Sequence, residues 1–554
     1  MSKEMIVGID LGTTNSLISI WQDGVSVLVP NALGKSLTPS CVGLSDSGEV
    51  LVGEAAKERL QTHPQLTTAN FKRYMGSARN TRLGKRNFRP EELSSFVLRA
   101  LKADAEAYLG MPITEAVISV PAYFSDAQRK ATQTAGILSG LKVDRLINEP
   151  TAAALAYGVR DAASENQYLI FDLGGGTFDV SILELFDGVM EVRASAGDNF
   201  LGGEDFADVV IEHFFATQGA LAGIKPSALS KEDGQKLRNG TNKLIWQLSE
   251  RNDAELAITL SGQTVNYRLS EDEFAGLASK LLERIRLPVE RALRDARIRV
   301  SDLSQILLAG GATRMPIVRK LVARMFGRFP SCHINPDEVV ALGAAVQAGL
   351  KMKDSALDEL VMTDVCPYTL GISTMQRTGG AQNNLVAGVY LPIIERNTVV
   401  PISRSRDIYT VADQQQRLAI EVFQGEARMV KDNIPLGTFE VEVPPKAAGL
   451  TGADVRFTYD SNGILEVEAT VHETNVKRRL VIQDNPGSLS AQEIDQRLLE
   501  LSALKLHPRE DLRNVTLLAR ADRLFEELLG DLRLTVSEAL GRFQAVLERQ
   551  DQRE

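Results

Sequence analysis

The sequence predicts an α/β domain with two duplicated halves, then an all-β sandwich, then a short helical lid. Three observations predict this order. Short apolar strands alternate with longer helical patterns up to about residue 355, and similar Asp-Leu-Gly turns recur 162 residues apart at Asp10 and Asp172. The stretch after residue 366 is rich in Thr, Val and Ile, whereas Leu, Ile and Phe recur at helical spacing from Ser490 onward. The expected boundaries are 1–355, 356–366 for a linker, 367–484 and 488–554.

Composition narrows the class of protein. The 554 residues suffice for roughly three to four domains. With 62 basic and 72 acidic residues the net charge is −10, which argues against a partner that is nucleic acid or an anionic membrane. The three cysteines are widely spaced, so neither a disulfide framework nor a cysteine zinc site is expected. No signal peptide or membrane-length apolar run is seen, and we expect a soluble cytoplasmic protein.

Strands in the first domain follow the apolar runs. They are predicted at Met5–Asp10, Ser16–Gln22, Glu115–Val120, Tyr168–Asp172, Phe178–Glu184 and Gln305–Ala309. A helix is expected to start at the capping box of Ser125 and Gln128 and to close at Gly140. Asn335-Pro336 predicts another helix, with proline at its first position.

Later segments carry their own signals. Residues 356–366 are apolar with acidic flanks, which indicates a linker that docks onto a surface. A turn is expected at residues 460–463 of the sandwich. Ser490 and Glu493 form a capping box, and Pro508 interrupts the helical pattern that follows. Two or three helices of modest length fit there.

The twin Asp-Leu-Gly motifs indicate phosphate chemistry. Each lies between two strands, so the pair predicts two hairpin turns that face one cleft. Glycine lets backbone N–H groups approach phosphate oxygens, and Thr hydroxyls add donors. The aspartates would hold hydrated Mg²⁺. Gly310-Gly311 follows an apolar strand and suits a nucleoside close to the backbone. A Walker A loop ending at Ser36 is rejected, because its first glycine would fall on Val29.

Six longer runs carry a resemblance to a known family. They read V-G-I-D-L-G-T-T-N-S, S-V-P-A-Y-F-S-D-A-Q-R, I-N-E-P-T-A-A-A-L-A-Y-G, F-D-L-G-G-G-T-F-D-V, L-G-G-E-D-F and N-P-D-E-V-V-A-L-G-A-A-V-Q-A-G. The chain resembles the DnaK-type heat-shock chaperones from residue 6 to about 490, and its short lid and linker exit are most similar to the HscC branch. The resemblance implies an actin-like ATPase domain with ribonuclease H-like halves, a peptide-binding sandwich and a helical lid.

The resemblance also implies roles for individual residues. Lys72 would position the attacking water and Glu149 would lie near the γ-phosphate. The implied catalytic residues are Asp10, Lys72, Glu149, Asp172 and Thr177. The implied ATP- or ADP-binding residues are Gly12, Thr13, Thr14, Asn15, Gly174, Gly175, Gly176, Gly202, Gly203, Trp246, Ser249, Gly310, Gly311, Arg314 and Asp337. Asp10 and Asp172 would organise Mg²⁺ through water, and Asp179 would lie near a K⁺ site.

One helix departs from the family pattern. The family presents Glu, Lys, Arg and Ser to adenosine, where this chain has Asn242, Ile245, Trp246 and Ser249. Trp246 is either a stacking platform for the purine or a core residue of its helix. ATP affinity below the family norm is therefore expected. The short segment between Gly76 and Pro90 leaves the need for a nucleotide-exchange factor open.

The resemblance assigns the peptide site and the coupling residues too. Met375 and Val411 would arch over an extended apolar peptide, and Leu418 would make the pocket shallow. The implied peptide residues are Ile372, Thr374, Met375, Ile408, Tyr409, Val411, Leu418 and Ile420. The implied coupling residues are Pro121, Arg129, Leu360, Val361 and Asp364. About 65 residues remain for the lid, which predicts fast peptide release even with ADP bound.

The expected function is an ATP-dependent chaperone that hydrolyses ATP to switch a peptide site, with a specialised rather than a general role. Extended clients and a J-domain co-chaperone are the expected partners of a monomer. A sugar kinase or a filament-forming actin relative would not need the sandwich and lid. A hydrolysis-poor scaffold or regulator would keep the architecture and remains the alternative.

Overall fold

The computed structural model describes residues 5–158, 166–186, 188–331, 333–357, 360–377, 385–481, 492–493, 496–497, 501, 511–528 and 530–549. The strands are β1 Ile6–Asp10, β2 Asn15–Gln22, β3 Val25–Leu28, β4 Thr38–Pro39, β5 Cys41–Leu44, β6 Val50–Val52, β7 Thr67–Ala69, β8 Thr81–Leu83, β9 Arg86–Phe88, β10 Glu115–Val120, β11 Lys142–Asn148, β12 Asn166–Leu173, β13 Phe178–Phe186, β14 Val189–Asp198, β15 Asp253–Leu260, β16 Gln263–Ser270, β17 Gln305–Ala309, β18 Val361–Val365, β19 Leu370–Arg377, β20 Leu385–Ile394, β21 Val399–Val400, β22 Ile402–Tyr409, β23 Arg417–Gln424, β24 Ile434–Glu442, β25 Gly452–Tyr459, β26 Leu465–Val471 and β27 Lys477–Val481. The α-helices are α1 Glu54–Thr62, α2 Pro90–Leu109, α3 Asp126–Leu138, α4 Glu149–Gly158, α5 Gly203–Phe214, α6 Lys231–Gln247, α7 Glu271–Leu277, α8 Ser279–Ala296, α9 Pro316–Phe326, α10 Val339–Lys351, α11 Leu512–Glu527 and α12 Gly530–Arg549.

The predicted strands of the first domain are confirmed, each within two residues of the expected bounds. The Ser125 capping box is confirmed as well, because its hydroxyl accepts from the Gln128 N–H and α3 ends just before Gly140. The prediction of proline at the start of a helix is wrong. The Asn335 side chain accepts from the Asp337 N–H at 3.1 Å, so Pro336 lies in a turn and α10 begins three residues later.

Two sheets of matching topology form the nucleotide domain, by which we mean β1–β17 with α1–α10. In the first sheet β1, β2 and β3 run antiparallel, and β10 and β11 extend it in parallel from β1. In the second, β12, β13 and β14 run antiparallel, and β17 lies parallel to β12. The repeat agrees with the predicted duplication. Each half has its own apolar core, and a third core joins them.

Helices α4 and α10 cross at the base of the domain between the two sheets. Their backbones approach so closely that a Cβ on Gly343 would lie 1.7 Å from the Ala152 carbonyl oxygen. Only glycine fits at this crossing. The close contact holds the two halves at the base, and the space between them opens on the opposite side.

The linker forms a strand rather than a loose connection. Strand β18 pairs in parallel with β14 of the second sheet and antiparallel with β21, which lies between β20 and β22 in the chain. The predicted docking of this segment is therefore confirmed. The sandwich, by which we mean β19–β27, consists of sheets ordered β20-β19-β23-β24 and β22-β25-β26-β27 around one core. The predicted turn at 460–463 joins β25 to β26.

The first of the two C-terminal helices lies against the nucleotide domain. Helix α11 packs on α1, and the buried Leu501 joins the core of the first half. Part of the predicted capping box, Ser490, and Pro508 lie outside the described residues. Within the described part of the chain, no helix is both long enough and apolar enough to span a bilayer.

Candidate nucleotide site and coupling surface

The two predicted hairpins meet across a cleft of about 670 Å³. The first turn joins β1 to β2 and the second joins β12 to β13, so Asp10 and Asp172 enter the cleft from opposite halves. The hairpins touch, because a Cβ on Gly175 would lie 2.0 Å from the Thr14 hydroxyl oxygen. The third glycine turn also requires glycine. Gly310 has φ +79°, and a Cβ there would lie 2.3 Å from the Leu173 carbonyl oxygen. These glycines bring three backbone turns to one point.

Most of the predicted nucleotide and catalytic residues line this cleft. They are Asp10, Gly12, Thr13, Thr14, Asn15, Lys72, Glu149, Asp172, Gly174, Gly175, Thr177, Gly203, Trp246, Ser249, Gly310, Gly311, Arg314 and Asp337. Three predicted residues, Gly176, Gly202 and Asp179, do not line it. Gly202 instead packs on the second hairpin, where a Cβ would lie 2.3 Å from the Gly176 nitrogen.

A buried ion pair lies at the floor of the cleft. Lys72 Nζ donates to Glu149 Oε1 at 2.6 Å, and both side chains are almost fully buried. The Lys72 ammonium also lies 5.5 Å from the centre of the Phe124 ring. Such a pair is held in one geometry, because either charge alone would be costly to bury. The ammonium and the carboxylate can therefore orient a water molecule in a fixed direction.

Three carboxylates surround this pair: Asp172 and Asp179 are buried, and Asp10 is half-buried. Burial, and then the charge of Glu149, raise the pKa of Asp10 to about 7 and that of Asp179 to about 8. The same causes raise the pKa of Asp172 well above its usual range. Ser119 donates to Asp10 at 2.7 Å, and the Tyr123 N–H donates to Asp179 at 3.1 Å. Clustered acidic oxygens of this kind suit a hard cation, whose charge would offset their repulsion.

The cluster fits a hydrated cation. Among the residues that the structure describes, no three His, Cys, Asp or Glu side chains converge closely enough to ligate a metal directly. Mg²⁺ dehydrates reluctantly and is often held through its water shell. Asp10 and Asp172 would thus hold Mg²⁺ beside the hairpins, where it would neutralise charge on bound phosphates.

The end of the cleft that is predicted to hold the nucleoside is built from different elements. Arg314 Nε donates to Asp337 Oδ2 at 2.9 Å, and its Nη2 donates to Asn335 Oδ1 at 2.5 Å. On α6, Ile245 is buried in the core, whereas Trp246 is 63% exposed and lines the cleft. The alternative that Trp246 is a core residue is therefore wrong. Its indole is available to stack on a purine.

A chain of polar side chains leads from the cleft to the linker. Arg129 Nη2 donates to Asn148 Oδ1 at 2.7 Å, and Asn148 Nδ2 donates to Asp364 Oδ2 at 2.8 Å. Thr151 also donates to Asp364, at 3.2 Å. Burial raises the pKa of the Asp364 carboxyl. Asn148 immediately precedes Glu149, so the linker contacts the residue next to the buried ion pair.

The sandwich adds a second contact at the same place. Arg129 Nη1 donates to the Asn462 carbonyl at 3.2 Å, and Asn462 Oδ1 accepts from the Leu146 N–H at 3.1 Å. The β25–β26 turn is thus anchored on α3 and β11. The predicted coupling residues Arg129 and Asp364 lie together here. The other three predicted coupling residues lie nearby in the fold. Leu360 packs partly on the core that joins the two halves, and Val361 pairs with Val189 of β14. The Pro121 carbonyl accepts a hydrogen bond from the Phe124 N–H.

Sequence reasoning missed Asn148, Thr151 and Asn462. The first two fall within the quoted I-N-E-P-T run, where they carried no separate signal. Asn462 carries only the pattern of a turn residue. A polar residue directly beside a catalytic candidate was the one signal that could have drawn attention to Asn148.

The predicted peptide residues divide into two groups. Ile372, Leu418 and Ile420 are buried in the sandwich core. Met375, Tyr409 and Val411 are exposed, while Ile408 is partly buried and Thr374 donates to the Val389 carbonyl at 3.0 Å. Strand β19 pairs with β23 only over Leu370–Ile372. Beyond that point the two strands do not pair, and Met375 lies along the unpaired stretch.

Comparison with known proteins agrees with this architecture. The family described as Hsp70 protein matches residues 6–83 and 78–539. The chain is 41% identical over 538 residues to "Chaperone protein DnaK" of Thermotoga neapolitana, which covers 94% of this chain and 87% of that protein. The same values hold for the proteins of that name from Thermotoga petrophila and Thermotoga maritima. The chain therefore belongs to the Hsp70 family and is an ATP-hydrolysing, ATP-dependent chaperone.

Proposed function

We propose that this structure is the peptide-releasing state of the chaperone cycle, in which the linker strand is built into the nucleotide domain. The observation that carries the proposal is the pairing of β18 with β14 together with the Asn148–Asp364 hydrogen bond. A linker held in this way keeps the sandwich against α3 and β11. The sandwich cannot change its position without breaking these contacts.

Hydrolysis would take place at the buried ion pair. Lys72 and Glu149 orient the attacking water, while Thr177 and the hairpin N–H groups hold the phosphates. Asp10 and Asp172 would hold Mg²⁺, which would supply charge neutralisation, and Asp179 would contribute to a K⁺ site. Loss of the γ-phosphate changes the charge next to Glu149. Because Asn148 adjoins Glu149 in the chain, that change reaches Asp364 and loosens β18.

The peptide site would lie along the unpaired edge of β19. An extended peptide can add to free backbone groups there by strand-like hydrogen bonds. Met375, Tyr409 and Val411 are exposed and would cover it, whereas the buried Leu418 and Ile420 would form the floor of a shallow pocket. Family membership implies client polypeptides and J-domain co-chaperones in general. A specialised role, the HscC assignment, the domain boundaries, the monomeric state and the cytoplasmic location stay predictions.

The test is release of a fluorescent extended peptide from the full chain, with ATP, with ADP and without nucleotide. We expect ATP to speed release strongly. Because the lid is short, release with ADP should already be fast compared with full-lid relatives. Release that is insensitive to ATP would contradict the proposal. Single-turnover hydrolysis, with and without peptide, distinguishes a working cycle from the hydrolysis-poor alternative, which predicts slow hydrolysis that peptide does not change.

A further inference from the structure

Helix α11 of the lid lies across the mouth of the nucleotide cleft and contacts both of its walls. One wall is α1. Here Glu58 is buried and accepts from Arg523 Nε at 2.5 Å and from Arg520 Nε at 3.0 Å. The other wall is α6, where Lys236 Nζ lies 3.9 Å from Glu526 Oε2. The same Glu526 oxygen accepts from Gln61 of α1 at 3.5 Å. One lid carboxylate thus joins the two halves of the nucleotide domain.

Arg523 also lines the cleft itself. It belongs to the same cavity wall as Glu58, Trp246 and the phosphate hairpins, although it lies 277 residues beyond Trp246 in the chain. The family resemblance implies a lysine and an arginine on the adenosine helix, which is α6 here. This chain has the uncharged Ile245 and Trp246 at those two positions. Lys243 of α6 lines the cleft as well, and the Arg523 guanidinium adds a cation from the lid. A planar guanidinium can stack on a purine or pair with a phosphate.

The electrostatics of Glu58 favour the docked lid. Burial raises the pKa of Glu58, but hydrogen bonds from Arg523 and Arg520 outweigh it, so the pKa lies below its usual value. Glu58 is therefore ionised when α11 is docked. If α11 alone moved away, the carboxylate would lose both hydrogen-bonded partners. Undocking of α11 would therefore leave the Glu58 carboxylate in the cleft wall without its two arginine partners.

We propose that α11 gates nucleotide release, with Arg523 as a nucleotide-binding residue supplied by the lid. A purine nucleotide enclosed between Trp246 and Arg523 leaves only after α11 separates from α1 and α6. This inference rests on the proposed nucleotide site and deepens it. By linkage, bound nucleotide favours the docked lid to the same extent that the docked lid favours bound nucleotide. The chain thus controls its own nucleotide exchange from within the lid.

The test uses the full chain and the dissociation rates of ribose-labelled fluorescent ADP and of a non-hydrolysable ATP analogue. Lys236→Glu and Glu526→Lys are each expected to speed dissociation severalfold, because each places like charges across the cleft mouth. The double exchange restores the opposite charges and should return the rate to within about twofold of the original chain. Both side chains are partly exposed, so the fold should persist. Arg542→Glu is the control, since Arg542 pairs with Glu538 of its own helix.

Arg523→Gln tests the nucleotide contact, and Arg520→Gln, which removes a hydrogen bond to Glu58 from a residue that does not line the cleft, is its control. Arg523→Gln should speed dissociation about tenfold, which corresponds to about 1.4 kcal/mol. Unchanged dissociation rates in the single variants, or no recovery in the double exchange, would overturn the gate. If peptide release still depends on ATP but the α11 substitutions do not change the nucleotide dissociation rate, the proposed gate is wrong and the proposed chaperone cycle is unaffected. If peptide release ignores ATP in the original chain, the proposed cycle itself fails.

Discussion

The amide of Asn148 donates a hydrogen bond of 2.8 Å to the carboxylate of Asp364, which joins the floor of the nucleotide cleft to the linker strand. Asn148 is the last residue of β11, and Glu149 begins α4 directly after it. Only one peptide unit and the Asn148 side chain therefore separate Glu149, the catalytic candidate, from the linker strand. A small displacement of Glu149 is enough to disturb the bond, because hydrogen bonds weaken steeply with distance and angle.

Removing this hydrogen bond should uncouple the two activities. With Asp364→Ala, Asn148 and Thr151 lose their shared acceptor in a buried site. We expect basal ATP hydrolysis to remain, whereas the stimulation of peptide release by ATP falls about tenfold, a cost of about 1.4 kcal/mol. Peptide release and phosphate production are measured on the same preparation. Glu440→Ala, at an exposed carboxylate of the sandwich, is the control. Full ATP-stimulated release in Asp364→Ala would contradict the coupling role.

The buried ion pair should be required for chemistry rather than for binding. Lys72→Ala removes the group that orients the water, so single-turnover hydrolysis should slow by roughly 10²–10³-fold. Nucleotide affinity should change far less, because the hairpins and the nucleoside end remain. Glu149→Gln keeps the shape of the side chain and should also slow hydrolysis. A Lys72→Ala chain that hydrolyses ATP at the original rate would exclude this residue from the reaction.

Trp246 should report on and contribute to purine binding. The chain has two tryptophans, of which Trp21 is 3% exposed and Trp246 63% exposed. Stacking on an aromatic ring is worth about 1–3 kcal/mol, so Trp246→Ala should weaken ATP binding about tenfold. ATP should also change the intrinsic fluorescence of the original chain, and this change should vanish in the variant. Unchanged affinity would remove the stacking role.

The peptide residues should separate into folding and binding groups. Ile420 is 1% exposed in the sandwich core, so Ile420→Ala should destabilise the sandwich by about 2–5 kcal/mol. Met375 is 50% exposed, so Met375→Ala should weaken peptide binding without lowering the melting temperature. Thermal melting and peptide affinity are measured for both. A Met375→Ala chain that binds peptide normally would move the site away from β19.

The local features of the chain were readable from its residues. Strands β10 and β17 have the predicted bounds because their apolar runs end at turn residues, and the Ser125 cap acts within one helical turn. The twin glycine turns indicated a shared cleft, since each carries its chemistry within a few residues. The turn at Pro336 was missed because the Asn335 side chain competes with the helix for the backbone N–H of Asp337.

Contacts between distant residues have no such signature. Glu58 and Arg523 lie 465 residues apart, and each alone resembles a solvated charge on an amphipathic helix. Likewise, alternation along β23 predicts that one face is buried, but not whether that face meets the sandwich core or a peptide. Residue types and spacing therefore identified the phosphate hairpins, and the six quoted runs carried the resemblance to the family. The packing of one domain on another decided which charges are paired, where the linker strand docks and how the lid crosses the cleft, because those energies arise only when both partners are buried together.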